Sequence, residues 1–331
     1  MKKILIDSNI PFLREVFPDN YDISDFRGRE LSSEVLKNTD CRTLFIRSTV
    51  KAGAQLLEGS HVEFMATATS GYDHVDTDYL FRNSIYFAGA LGSNANSVAE
   101  YVVFSILKWA ALRDSDLRKK SIGIVGYGNV GRHVAKYAAL LGMRVFVNDP
   151  PLYESGFRFP SICRYLPLNE LIAQSDVLTN HVPLNPFGDH PTVDLLNSTN
   201  LAAFRSEGLL IHASRGGVCD EGEMIRLGKE KNVALAVDVW KCEPLFNENL
   251  ARIAMIATPH VAGHSLDGKL RGSAMMAQAY INFYREKLNT EPIEKLLDEY
   301  KPLKEDGYTR PSELLSRLAR SREIDKDTTS M

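Results

Sequence analysis

Short runs rich in valine, isoleucine and leucine recur along this chain. They alternate with longer stretches in which apolar residues return every three or four positions, the rhythm of parallel strands joined by crossover helices. In the first ninety residues the strand candidates are Lys3–Ile6, Thr43–Ile46, Phe64–Thr67 and Ile85–Ala88. Asn94 can then cap a helix running to about Leu112, whose Val98, Tyr101, Val102, Ile106 and Trp109 fall near helical spacing and predict one buried face. The charged segment Arg113–Lys120 separates this helix from a second series of strands: Ser121–Val125, Arg144–Asn148, Val177–Asn180, Leu209–Ala213, Ala234–Val239 and Met255–Ala257. Beyond Ala262 helical character resumes through Tyr284 with small residues Ser273, Ala274, Ala277 and Ala279, and this helix is expected to return to the first domain, making that domain discontinuous. From Arg285 onward the chain is polar and charged. Leu314, Leu315 and Leu318 form one short amphipathic patch there, and Asp325–Met331 reads as disordered.

Composition narrows the classes. At ~100–200 residues per domain, 331 residues imply two domains, each able to bury a core. The balance of 39 basic against 42 acidic residues, net charge -3, argues against a nucleic-acid surface, which needs a basic field to displace counterions. Cys41, Cys163, Cys219 and Cys242 are far apart and form no CxxC pair, so they read as free thiols of a reducing compartment. After Met1-Lys2-Lys3 only Ile4-Leu5-Ile6 is apolar, too short for a secretory signal. The apolar stretch Tyr101–Leu112 is too short to span a bilayer. A soluble cytoplasmic protein with no membrane partner is expected.

The first chemical signal is Gly126-Tyr127-Gly128-Asn129-Val130-Gly131. A lone GxGxxG is weak, but this one follows the strand Ile122–Val125 and opens a helix from Val130 to Leu141. Gly126 permits a tight turn, Gly128 lets a backbone approach a pyrophosphate, and Gly131 lets helix and strand pack closely. The helix N-terminus stabilises the negative charge. Asp149 ends the next strand 18 residues beyond Gly131, where a carboxylate accepts from ribose hydroxyls and repels a 2′-phosphate. Pro150-Pro151 follow it rather than an arginine. The pattern therefore predicts a doubly wound Rossmann domain that takes NAD.

Three further segments end strands on the same edge: Ala213–Gly217, Asp238–Pro244 and Thr258–Gly263. They bring Arg215, Glu243 and His260 toward the nicotinamide. Oxidising a 2-hydroxy acid requires a carboxylate anchor, a base for the hydroxyl proton and a hydride acceptor, and these residues with NAD supply that set. Singly, each has an ordinary reading as a loop histidine, a strand-end turn or a loop start; their joint placement on neighbouring strand ends is the signal. Cys242, beside Glu243, has no local motif of a nucleophile.

In these motifs the chain resembles the D-isomer-specific 2-hydroxyacid dehydrogenases, over roughly residues 1–285. Within them the likeness is nearest to a subfamily acting on a phosphorylated four-carbon sugar acid. It is carried by Ile46-Arg47-Ser48, the run from Thr67 to Asp76, Asn148-Asp149-Pro150-Pro151, Asp238-Val239-Trp240 and the run from Gly263 to Gly272. The resemblance implies that His260 is the acid/base, Glu243 its partner and Arg215 the substrate anchor. It implies substrate contacts at Ser48 and Thr69. Asp149, Asp238, Gly263 and the Ala213–Ser214–Arg215 backbone would line the cofactor with the glycine turn. Arg47, Lys269 and Arg271 are candidate cations for a substrate phosphate, each equally readable as a solvated charge. Where the subfamily has a tyrosine after Gly263, this chain has His264, which can still donate a hydrogen bond to substrate.

The expected organisation is α/β in two domains. A flavodoxin-like substrate domain over 1–93 is completed by 263–290, around a Rossmann domain over 94–262, with a polar tail over 291–331. The subfamily often carries a longer C-terminal dimerisation module, and the 46 residues after Arg285 are too few and too polar for it. A homodimer is expected to use the Asn94–Leu112 region instead. His260 and His264 are four apart, but Pro259 and Gly263 argue against a helix there and no third ligand appears, so no metal is expected. Two rival readings stay open: another D-2-hydroxy acid such as 3-phosphoglycerate, and an NAD-sensing binding protein like the corepressors that share this fold.

Overall fold

The computed structural model describes residues 3–299 and 311–322. The chain divides into two units, Met1–Asn94 with His264–Leu303 and Ala95–Gly263 with Lys304–Met331. Both are α/β with parallel sheets.

The first unit holds five strands: β1 (Lys3–Asp7), β2 (Asp22–Phe26), β3 (Cys41–Ile46), β4 (Phe64–Thr67) and β5 (Tyr86–Gly89). All pair in parallel in the order β2-β1-β3-β4-β5, the flavodoxin-like winding. Successive side chains point to opposite faces, so each face has its own core. Leu5, Leu44, Ile46 and Met65 pack on one side with Leu36 and Leu56. Ile4, Ile6, Phe45 and Phe64 pack on the other against the helix Leu266–Tyr284 through Met276, Ala277 and Tyr280. Edge-on aromatic contacts knit that second core, with Phe17 against Tyr280 at 5.1 Å and Phe45 against Phe64 at 5.7 Å. The Ser273 hydroxyl also donates to the Pro11 carbonyl at 2.6 Å. The chain re-enters its first unit as a long helix with one apolar face.

The second unit holds β6 (Ser121–Val125), β7 (Arg144–Asn148), β8 (Cys163–Tyr165), β9 (Val177–Asn180), β10 (Leu209–His212), β11 (Ala234–Val237) and β12 (Ile256–Ala257). Their order is β12-β11-β10-β9-β6-β7-β8, with the winding reversing between β6 and β9, and every pair is parallel. This is a doubly wound sheet whose ligand crevice lies at the carboxyl ends of its strands. β6 and β9 are buried along their whole length, as central strands of a parallel sheet covered on both faces are. The helix Ala95–Leu112 buries most of its circumference, including Tyr101 and Trp109, and packs on the helix Asn129–Leu140 that follows the glycine turn.

Two strands escaped the hydrophobic pattern. β2 reads Asp-Ile-Ser-Asp-Phe and β8 Cys-Arg-Tyr; both lie at sheet edges, where one flank is unpaired and short polar strands suffice. The stretch read as a polar tail also carries two helices, Glu291–Glu299 and Pro311–Arg322. The first buries Ile293 completely in the first unit's core, with Leu296 and Leu297 packed beside it. The second turns Leu314 and Leu318 onto the helix Ala95–Leu112. Scattered leucines among charges are what a helix with one narrow buried stripe requires. Asp325–Met331, read as disordered, lies outside the described residues. Replacing Ile293 with Ala should lower unfolding stability by roughly 2–4 kcal/mol in urea titration, because it leaves a cavity in a core shared with Phe17 and Tyr280; an unchanged midpoint would mean that this helix is not part of the core.

Candidate active site

Register builds the functional edge. The last paired row of the second sheet runs Asn148, Val125, Asn180, His212, Val237 and Ala257 across β7, β6, β9, β10, β11 and β12. The next residue on each strand is Asp149, Gly126, His181, Ala213, Asp238 and Thr258. Four of the residues picked out from motifs therefore emerge side by side at the carboxyl edge.

Each glycine of the turn has a separate reason. Gly126 has φ +93° and its amide donates to the Asn148 carbonyl at 2.8 Å. A Cβ at Gly131 would overlap the Gly126 carbonyl oxygen, so helix and turn touch backbone to backbone. A Cβ at Gly128 would meet no protein atom within 4 Å. The protein's own packing does not require glycine there, whereas a group closing on the turn would. The helix from Asn129 through Val130 and Gly131 presents its N-terminal amides at that point, and this donor set fits a dinucleotide pyrophosphate. Asp149 is tied into the same turn: Oδ2 accepts from the Tyr127 amide at 2.7 Å and Oδ1 from the Leu152 amide at 3.1 Å, capping the short helix Pro150–Glu154. Each oxygen keeps a further lone pair for a ribose hydroxyl.

The loops that follow β11 and β12 meet at Asp238, which is 1% exposed. Its Oδ1 accepts from the Thr258 hydroxyl at 2.6 Å and the Val261 amide at 2.8 Å, and its Oδ2 from the Ala262 amide at 2.9 Å. Burial pushes this carboxyl above its ordinary range; the three hydrogen bonds and the charge of His260 act the other way. Because Thr258 gives its proton to Asp238, the Tyr101 hydroxyl, 3.0 Å away, must donate to Thr258. The indole of Trp240 donates to the Thr258 carbonyl at 3.0 Å.

His260 sits on this loop with φ +58°, a left-handed conformation rare for a residue with a side chain, and its amide donates to the Asp238 carbonyl at 2.7 Å. Its Nδ1 lies 2.8 Å from Glu243 Oε2. A carboxylate can only accept, so Nδ1 carries the proton and Nε2 keeps its lone pair. The hydrogen bond to Glu243 holds the imidazole above its ordinary pKa, against the opposing effect of burial. Burial acts to raise Glu243, but its bonds to His260 and to the Trp240 amide (2.9 Å), with the charges of His260 and Arg215, bring it below the carboxylate range. Arg215 leaves β10 beside them, its Nη1 donating to the Ser214 carbonyl at 2.8 Å. A Cβ at Gly216 would overlap the Trp240 carbonyl, so the Arg-Gly-Gly turn runs directly against the loop bearing Glu243.

The second unit thus brings together Arg215, Glu243, His260, Asp238, Gly263, Ala213 and Ser214 with the glycine turn and Asp149. Arg47, Ser48, Thr69 and His264 belong to the first unit. Arg47 and Ser48 follow β3, with Ser48 exposed. Thr69 follows β4, where its hydroxyl donates to the Gly71 carbonyl at 2.9 Å and receives the Thr67 hydroxyl at 2.8 Å. Lys269 and His264 are exposed, and Arg271 lies 4.0 Å from Asp267 on its own helix. Asn180 and His212 lie outside those motifs. Their signal is in the sequence, since each is a polar residue ending a strand at the register of the site.

Residues 96–262 match the model of the D-isomer specific 2-hydroxyacid dehydrogenase NAD-binding domain. An erythronate-4-phosphate dehydrogenase of Proteus mirabilis is 38% identical over 290 residues, covering 87% of this chain and 76% of that protein. That of Pseudomonas paraeruginosa is 41% identical over 281 residues, covering 84% and 72%. The chain belongs to the D-isomer specific 2-hydroxyacid dehydrogenases. The family's fold extends to a D-lactate dehydrogenase of Aquifex aeolicus solved with NAD and lactic acid, at TM-score 0.69 and 19% identity over 88% of this chain and 100% of that one. Like its family, the enzyme is an NAD-dependent oxidoreductase.

Two outcomes follow from this geometry. Gly128→Val should leave the melting temperature unchanged and weaken NADH binding about ten-fold or more by fluorescence titration, whereas Gly131→Val should destabilise the fold itself; equal melting losses would refute the distinction. Only the neutral form of His260 can take up a proton, so if it serves as the acid/base, kcat/KM for oxidation should rise with pH through a pKa above the ordinary 6.5, and reduction should fall through the same value. Glu243→Gln removes the charge that raises it, so the acid limb should move to lower pH; a limb that stays in place would mean that Glu243 does not tune His260.

Proposed function

We propose that this enzyme oxidises 4-phospho-D-erythronate to 3-hydroxy-2-oxo-4-phosphooxybutanoate, a cytoplasmic step of pyridoxal phosphate biosynthesis. The 2-hydroxy acid chemistry is supported chiefly by the 2.8 Å pairing of His260 with Glu243 beside Arg215. The choice of acid is supported by the name of the 38–41% identical relatives. NAD, when bound, accepts the hydride from C2. His260 Nε2 takes the C2 hydroxyl proton, and Glu243 stabilises the imidazolium that results. Arg215 holds the substrate carboxylate with two parallel hydrogen bonds, which a lysine's point charge cannot reproduce. The oxidation leaves a 2-oxo acid, reduced cofactor and one proton.

In this reading Ser48, Thr69 and His264 contact the substrate, and Arg47, Lys269 and Arg271 are the candidate cations for its phosphate. The cofactor is lined by Gly126, Gly128, Asn129, Val130, Gly131, Asp149, Asp238, Gly263 and the Ala213–Arg215 backbone. Asp149 favours NAD over its 2′-phosphorylated form. The enzyme works as a homodimer, with neither nucleic acid nor membrane as partner. Among the described residues no helix is long and apolar enough to cross a membrane.

A panel of D-2-hydroxy acids followed by NADH absorbance tests the assignment. The highest kcat/KM is expected with 4-phosphoerythronate; preference for 3-phosphoglycerate would overturn the choice of substrate, and NAD binding with no turnover of any member would leave a sensing protein. Arg47→Ala should raise KM for the phosphorylated acid far more than for its unphosphorylated analogue, and equal effects would remove Arg47 from the phosphate site.

A further inference from the structure

Beneath the catalytic arginine lies a polar cluster that the reaction does not use directly. Asn180 and His212 are register partners on β9 and β10, in the last paired row of the sheet, and both are essentially without exposure. Their neighbours in that row, Val125 and Val237, are apolar. The orientation of the Asn180 amide follows from its surroundings. The Ile211 carbonyl, 3.5 Å from Nδ2, can only accept, so the nitrogen faces β10 and the oxygen faces Ser214. Ser214 therefore donates its hydroxyl proton to Asn180 Oδ1. The same amide nitrogen donates to His212 Nδ1 at 3.1 Å, which leaves the His212 proton on Nε2. Burial keeps this imidazole neutral, with its pKa pushed down to about 4 against the pull of Glu243.

Ser214 is the link to chemistry. Its side chain is held by Asn180, and its carbonyl accepts from Arg215 Nη1 at 2.8 Å. A buried polar network is costly unless every member is paired, and when paired it fixes one arrangement of the backbone that carries it. We propose that Asn180 is a positioning residue for Arg215, acting through Ser214 from the strand next to the one that ends in the arginine. Asn180 touches neither substrate nor cofactor in this scheme. It fixes the Ser214 side chain, and with it the carbonyl against which the guanidinium is folded. The inference rests on the reading of Arg215 as the substrate anchor.

The test is a cycle of variants at 180, 214 and 215, assayed with whichever 2-hydroxy acid the panel shows to be turned over. The panel decides the substrate reading on its own; the cycle decides this one. Asn180→Leu, close in volume but unable to hydrogen-bond, should lower kcat/KM about ten-fold in the otherwise unchanged enzyme and less than about two-fold in an Arg215→Lys background. Ser214→Ala should behave alike in both backgrounds, and the double variant at 180 and 214 should be no worse than the worse single one. Equal fold losses in both backgrounds would assign Asn180 a purely structural part and overturn the proposal, as would full activity of Ser214→Ala. If Asn180→Leu does not fold, Ser214→Ala in the two backgrounds carries the same decision.

Discussion

The active edge of this enzyme depends on one buried carboxylate. Asp238 directly follows β11 where water is excluded, and its oxygens are satisfied by the Thr258 hydroxyl and the Val261 and Ala262 amides. An unpaired carboxylate there would be strongly unfavourable, so the chain beyond β12 has to turn back over it. That turn places His260 in a left-handed conformation with its amide on the Asp238 carbonyl and its ring on Glu243. The strain at His260 is sustained because the surrounding bonds over-determine it. Thr258 extends the same constraint outward to Tyr101 and Trp240, so the long helix Ala95–Leu112 and the loop bearing Glu243 are tied to one point.

Electrostatics then divides the labour among groups that sit close together. Glu243, held ionised by two donors and two positive neighbours, raises His260 and fixes which of its nitrogens faces outward. Burial keeps His212, one strand away, neutral. Two imidazoles near the same carboxylate thus differ in role because one is half exposed and hydrogen-bonded to it while the other is enclosed by the sheet.

What could be read from the sequence follows the same physics. Strands buried on both faces, such as Ile122–Val125 and Leu209–Ile211, announce themselves as apolar runs. The glycine turn announces itself because Gly126, Gly128 and Gly131 answer three distinct backbone demands. Edge strands such as Asp22–Phe26 carry no such signal, since solvent satisfies what a neighbour would otherwise fix. Arg215, Glu243 and His260 were legible as residue types at strand ends. The left-handed φ of His260, the closure of the glycine turn by Asp149 on the Tyr127 amide, and the gathering of a loop by Asp238 were not. Each of these joins residues about twenty positions apart, and no local spacing encodes the partner. The helices Glu291–Glu299 and Pro311–Arg322 were hidden for a further reason: a narrow apolar stripe in a charged segment is indistinguishable from a solvated tail until the surface it covers is known.

The proposed reaction depends on His260 as the group that takes the substrate proton. The direct measurement is kcat of His260→Ala beside its NAD dissociation constant. A positioned acid/base contributes roughly 10²–10⁴-fold, so kcat should fall by that order while NAD binds nearly as it does to the unaltered enzyme. A variant with unchanged kcat would contradict the assignment of His260 as the acid/base.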